Sequence, residues 1–66
     1  MKITVNGKEL NVKNDITIAN LLKDLKIESK VMAAAVNMNI VKKEQWSSYA
    51  PKEGDKIEFL HFVGGG

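Results

Sequence analysis

Met1-Lys2-Ile3-Thr4-Val5-Asn6-Gly7-Lys8-Glu9-Leu10-Asn11-Val12 is the stretch that decides the fold. Ile3 and Val5 point one way and Lys2 and Thr4 the other, the alternation of a half-buried strand over Met1–Val5. Asn6-Gly7 is the strongest short-range hairpin signal, because both residues tolerate positive φ. Leu10 and Val12 then alternate with Glu9, Asn11 and Lys13, so the chain opens on a β-hairpin with one apolar face. Asn14-Asp15 breaks the second strand. Thr17 is placed to cap a helix, its hydroxyl accepting from an early helical N–H. Ile18, Leu21, Leu22 and Leu25 follow at i, i+3, i+4 and i+7, one apolar stripe. The helix is expected to end near Lys26, where a last-turn lysine suits the helix dipole.

Outward from this core the reading becomes less regular. Val31–Val36 contains Ala33-Ala34-Ala35, which favours helix by propensity. The run is short and stops at Asn37-Met38-Asn39, so it reads as a strand with Met32, Ala34 and Val36 on the core side and Ala33 and Ala35 opposite. Ile40-Val41 gives a short strand, Glu44–Tyr49 a loose helical turn carrying Trp46, and Pro51–Asp55 a turn with Gly54 available for positive φ. The last strand is expected over Lys56–Val63, with Ile57 and Phe59 inward and Glu58, Leu60 and Phe62 outward. The order β-β-α-β-β-β predicts one α+β domain, a mixed sheet with the helix on one face.

The chain has 66 residues, no cysteine and a formal net charge of +2. That length excludes two domains and a cleft between them. Without cysteine there is no disulfide framework, no Fe–S cluster and no thiolate zinc site. A small domain of this kind depends on one well-patterned apolar core. All ten basic residues are lysine and they are interleaved with Glu9, Asp24, Glu28, Glu44 and Glu58, Lys42-Lys43 being the longest basic run. Arginine supplies the bidentate fork for phosphate and guanine, so nucleic acid is not an expected partner. The start has no charged region followed by an apolar run, and no apolar stretch approaches the ~20 residues that span a bilayer. A cytoplasmic protein without a membrane partner, monomeric when free, is the expectation.

The closing Val63-Gly64-Gly65-Gly66 carries the functional signal. Glycine lacks a Cβ, so a glycine tail is thin and conformationally free. Three extended residues reach roughly 10 Å beyond the last strand, enough to carry a terminal carboxylate into a narrow channel of another protein. The plainer reading of such a run is a frayed end. Its position directly after an apolar strand favours the tail reading and a division into a domain over 1–63 and a flexible tail over 64–66.

These features together resemble the sulfur-carrier family of thiamine biosynthesis, ubiquitin-like β-grasp proteins. The resemblance covers essentially the whole chain. It rests on Asn6-Gly7, Thr17 with Leu21-Leu22, Ala35-Val36-Asn37, Ile40-Val41, Glu44-Gln45-Trp46, Gly54-Asp55-Lys56-Ile57 and, most specifically, His61-Phe62-Val63-Gly64-Gly65-Gly66. Met38 stands where a turn glycine is common and Glu53 where an aspartate is common. The resemblance implies a β-grasp sheet of four to five strands packed on one helix. It also implies that Gly66 is the modified residue. An E1-like adenylyltransferase of the ThiF type would adenylate its carboxylate with ATP, and sulfur from a donor enzyme would convert it to a thiocarboxylate. A thiazole synthase of the ThiG type would consume that sulfur. The chain would then be no enzyme and bind no cofactor itself, ATP being bound by the partner. Gly64 and Gly65 would give the tail clearance, and Leu60, Phe62 and Val63, with Ala33 and Ala35 nearby, would dock on the partners. Rival readings are a carrier for molybdopterin, cysteine or homocysteine assembly, a ubiquitin-like tag, and a non-covalent β-grasp binding module. The molybdopterin carrier usually has prolines just before its glycines, whereas the sole proline here is Pro51.

The remaining chemistry-bearing residues read as structural. His61 is the single histidine and has no cysteine or second histidine for a metal site. The carboxylates show no paired-acid arrangement. Ser47-Ser48 has no nucleophile-elbow glycines. There is no phosphate-binding glycine loop. Trp46 is expected to cap one end of the core, and Asp55 to serve the turn before the last strand.

Overall fold

Asn6 and Gly7 adopt φ of 49° and 84°, the paired positive values of a type I′ turn, whose twist matches that of the strands it joins. The computed structural model describes residues 1–61, and in it this turn connects β1 (Lys2–Val5) to β2 (Lys8–Asn11) in the antiparallel register Lys2↔Asn11 to Val5↔Lys8. The chain then forms α1 (Ile18–Leu25), β3 (Val31–Val36), β4 (Asn39–Val41), a 3-10 turn (Lys43–Gln45) and β5 (Lys56–His61). The five strands form one mixed sheet in the order β2-β1-β5-β3-β4, with β5 parallel to β1 and antiparallel to β3. This is the expected α+β arrangement. The expected continuation of the last strand to Val63, and the boundary between domain and tail, lie outside the described residues.

Both helix ends follow from local chemistry. Thr17 Oγ1 accepts from Asn20 N at 3.2 Å, as the capping argument requires. Two further N-terminal amides are met from the loop after the 3-10 turn: Ile18 N donates to Tyr49 O at 2.9 Å and Ala19 N to Trp46 O at 3.0 Å. At the other end Lys26 takes the left-handed conformation, φ 61°, and Ile27 N donates to Leu22 O at 3.1 Å. That pairing closes a Schellman-type stop in which lysine fills a position usually held by glycine.

The core lies between α1 and one face of the sheet. Ile18, Leu21 and Leu22 form one buried cluster with Ile3, Val5, Ile16, Val31, Ala34, Val36, Val41, Trp46, Ile57 and Phe59. Leu10, Val12 and Leu25 are partly buried around it. Trp46 also donates from Nε1 to Val41 O at 2.9 Å, so its one polar atom is satisfied inside.

One core assignment is corrected. Met32 does not face the core: it is 48% exposed, while Val31 is buried. The pairs Val31↔His61 and Ala33↔Leu60 advance two residues on β3 for one on β5. A one-residue bulge at Met32 therefore breaks the alternation and re-aims its side chain. From Ala33 to Val36 the alternation is as expected. The helical turn also starts earlier and is tighter than the Glu44–Tyr49 reading, a 3-10 turn at Lys43–Gln45.

Candidate functional site

β5 occupies the middle of the sheet, flanked by β1 and β3. It is also the strand whose sequence continues into Phe62-Val63-Gly64-Gly65-Gly66. A central strand cannot shift without breaking ladders on both sides, so it is a rigid base for whatever follows it. Its inner residues Ile57 and Phe59 are buried, and its outer residues Glu58 and Leu60 are exposed, as the alternation predicts.

Two side-chain devices tie this strand to its neighbours. Before it, Asp55 Oδ2 accepts from Lys52 N at 2.8 Å and Asp55 Oδ1 from Asn37 Nδ2 at 3.0 Å. Asn37 completes the link, its Oδ1 accepting from Lys56 N at 3.0 Å and its own N–H donating to Lys56 O at 2.7 Å. The turn role expected of Asp55 is therefore present, and Asn37 joins it to the β3–β4 turn. Further along, Asn6 Oδ1 accepts from Phe59 N at 2.8 Å. The hairpin asparagine thus has a second role that its turn propensity does not reveal.

Leu60 is 58% exposed and lies opposite Ala33 on β3. Ala35 pairs in turn with Ile40 of β4, which is 70% exposed. Asn6, Ala33, Ala35, Ile40, Glu58 and Leu60 line one shallow depression on the sheet face away from the helix. The structure thus brings together Leu60, Ala33 and Ala35 as expected and adds Ile40. Ile40 was legible in principle, since Ile40 and Val41 are adjacent in a strand and cannot both face the core. Phe62, Val63, Gly64, Gly65 and Gly66, the remaining expected site residues, lie outside the described residues.

Elsewhere the chemistry is sparse. Among the described residues no group of three His, Cys, Asp or Glu side chains is placed to hold a metal ion. His61 Nε2 is buried without a hydrogen-bond partner among the described residues. No helix among the described residues is long and apolar enough to cross a membrane.

Comparison with known proteins fits this geometry. The model of the ThiS family matches residues 2–66. The Sulfur carrier protein ThiS of Bacillus subtilis is 37% identical over 65 residues, covering 97% of this chain and 98% of that protein. A Thiazole synthase of Paramagnetospirillum magneticum is 38% identical over 66 residues, covering 100% of this chain but only 20% of that protein. The crystal structure of a thiamine biosynthesis protein (ThiS) from Geobacter metallireducens superposes with a TM-score of 0.82 at 34% identity, with both chains fully covered. An α+β sheet in the same arrangement, a matched span reaching the terminal glycines and full-length similarity to carriers lead to one conclusion: the chain belongs to the ThiS family.

Proposed function

We infer that this chain is a sulfur carrier of thiamine biosynthesis and that its reactive group is the carboxylate of Gly66. The observation that carries the reading is the placement of an exposed apolar face on β5, the strand that leads into the glycine tail. A carboxylate is a poor electrophile. In the proposed sequence a Gly66 oxygen attacks the α-phosphorus of ATP on a ThiF-type adenylyltransferase and pyrophosphate leaves. The outer sulfur of a persulfide on the donor enzyme then attacks the carbonyl carbon and AMP leaves, giving an acyl disulfide. A thiol attacks the donor-side sulfur of that S–S bond, so that thiol and donor end as a disulfide and the acyl sulfur leaves as the thiocarboxylate. That sulfur is the nucleophile delivered to a ThiG-type thiazole synthase. The occurrence of a similar segment within longer proteins named thiazole synthase supports this last partner.

The chain contributes no acid, base or metal to these steps and is not a catalyst. Its role is to present one reactive group to successive active sites on a rigid base, which keeps the sulfur positioned. Leu60, Ala33, Ala35 and Ile40 form the described part of the docking face, with Phe62 and Val63 proposed to extend it. Gly64 and Gly65 leave the tail narrow enough to enter a channel, beyond a domain ending at Val63.

The test separates face from tail. Gly65→Leu is expected to block adenylation while the amide spectrum of the domain stays unchanged. Leu60→Ser is expected to weaken binding to the adenylyltransferase by about tenfold, the scale of losing one buried anchor. Normal adenylation of Gly65→Leu contradicts the channel argument, and unchanged binding of Leu60→Ser contradicts the docking face. A non-covalent binding module would lose nothing on deletion of Gly65 and Gly66.

A further inference from the structure

Three hydrogen bonds establish which edge of β5 faces β1. Thr4 N donates to Asp55 O at 3.0 Å and Asn6 N to Ile57 O at 2.9 Å. Phe59 N then donates to Asn6 Oδ1 at 2.8 Å. Odd-numbered residues of this strand therefore direct their main-chain groups toward β1. Lys56, even-numbered, exchanges its groups with Asn37 on the β3 side. β1 ends at Val5, and its register with β5 stops at Val5↔Ile57. The Asn6 side chain stands in for one more backbone acceptor. Beyond it the Phe59 carbonyl and the His61 N–H continue the same edge, and among the described residues no strand lies against them. The opposite edge stays paired with β3 as far as Val31↔His61.

We propose that this short open edge of β5, beyond Asn6, accepts an extended segment of thiazole synthase, which adds to the sheet by main-chain pairing with Phe59 and His61. The proposal rests on the sulfur-carrier reading. The reach of the chain selects the occupant. Gly66 is five residues beyond His61, and five residues span at most about 17 Å. A protein that takes the Gly66 carboxyl group into its active site therefore has backbone within that distance of the edge. Leu60, between the two edge residues, carries its side chain onto the docking face, so a partner covering that face borders the edge. The synthase is selected over the adenylyltransferase because segments similar to this chain occur in one polypeptide with thiazole synthases. Strand addition supplies affinity through main-chain hydrogen bonds and fixes the direction in which the following residues leave. The Asn6 side chain shortens the edge, which limits pairing between copies of this chain.

Amide hydrogen exchange of the labelled full chain, alone and saturated with thiazole synthase, tests this directly. The His61 amide is expected to exchange rapidly in the free protein and to slow by about tenfold or more in the complex. The Leu60 amide, directed to β3, is expected to be protected in both. A His61 amide already protected in the free protein, or unchanged in the saturated complex, overturns the proposal. In binding, His61→Pro removes the donor and is expected to cost about tenfold, whereas His61→Ala keeps the N–H and is expected to stay within about twofold. Equal affinities of the two variants also overturn it. If Leu60→Ser weakens binding while His61→Pro does not, the edge fails and the docking face stands. If an active synthase shows no affinity for the chain, the carrier reading fails with it.

Discussion

Met38 is held at φ 70° with 90% of its surface exposed. The left-handed region costs a residue with a Cβ about 1–2 kcal/mol, and an exposed side chain recovers little by burial. Met38→Gly is therefore expected to stabilise the protein by about 0.5–1 kcal/mol after the extra unfolded-state freedom of glycine is counted. Its neighbour Asn37 shares the left-handed conformation, φ 50°, but its amide bridges Lys56 and Asp55. Asn37→Ala loses both bonds as well as a residue type that tolerates this geometry, and is expected to cost about 1–2 kcal/mol. Urea unfolding of the two variants checks both, and shifts of the same sign contradict the distinction between them. Sequence reading locates this turn from Asn37-Met38-Asn39. It does not distinguish a residue that is merely accommodated from one that ties two elements together, because the partners of Asn37 lie 18 and 19 positions away.

Among the elements, α1 and the opening hairpin were the most legible. Each is decided within a short window by a period and a terminating residue: Asn6-Gly7 for the turn, and Thr17 with the Ile18-Leu21-Leu22 stripe for the helix. β3 was legible in kind but not in detail. Its bulge arises from a register shift against β5, so nothing in the local alternation around Met32 announces it. The sequence marks Pro51 only as a turn residue, yet it is buried, because a proline ring has apolar surface that tertiary packing can use. The loop after β4 illustrates coupling between elements. Trp46 is 6% exposed, its Nε1 donates to Val41 O, and its own carbonyl accepts from Ala19 N in the first turn of α1. Trp46→Phe keeps most of the packing but leaves the Val41 carbonyl without this donor. It is expected to cost about 1–3 kcal/mol, the desolvation scale of an unsatisfied buried acceptor, read as a shift in the denaturation midpoint. An unchanged midpoint contradicts the structural role given to the indole N–H.

At the scale of the whole molecule, the sheet order places the strand leading to the glycines at the centre and its outward Leu60 on the face opposite the helix. The alternation of Lys56–Leu60 foretold that Leu60 points outward. Ile40 joins the same face through its pairing with Ala35. The chemistry of the tail was legible in a different way: a glycine run at the end of a chain suggests clearance, but sulfur transfer came through resemblance to a family. Physical patterning specifies the base on which the proposed reaction is presented, while the partner active sites of that proposal lie beyond what patterning in this chain can specify. The central claim is therefore tested most directly by the intact mass of the purified protein after incubation with ATP, its adenylyltransferase, a persulfide sulfur source and a thiol reductant. A gain equal to exchanging one oxygen for one sulfur, mapped to Gly66, is the predicted result. An unchanged mass, with the same enzyme active on another carrier of the family, contradicts it.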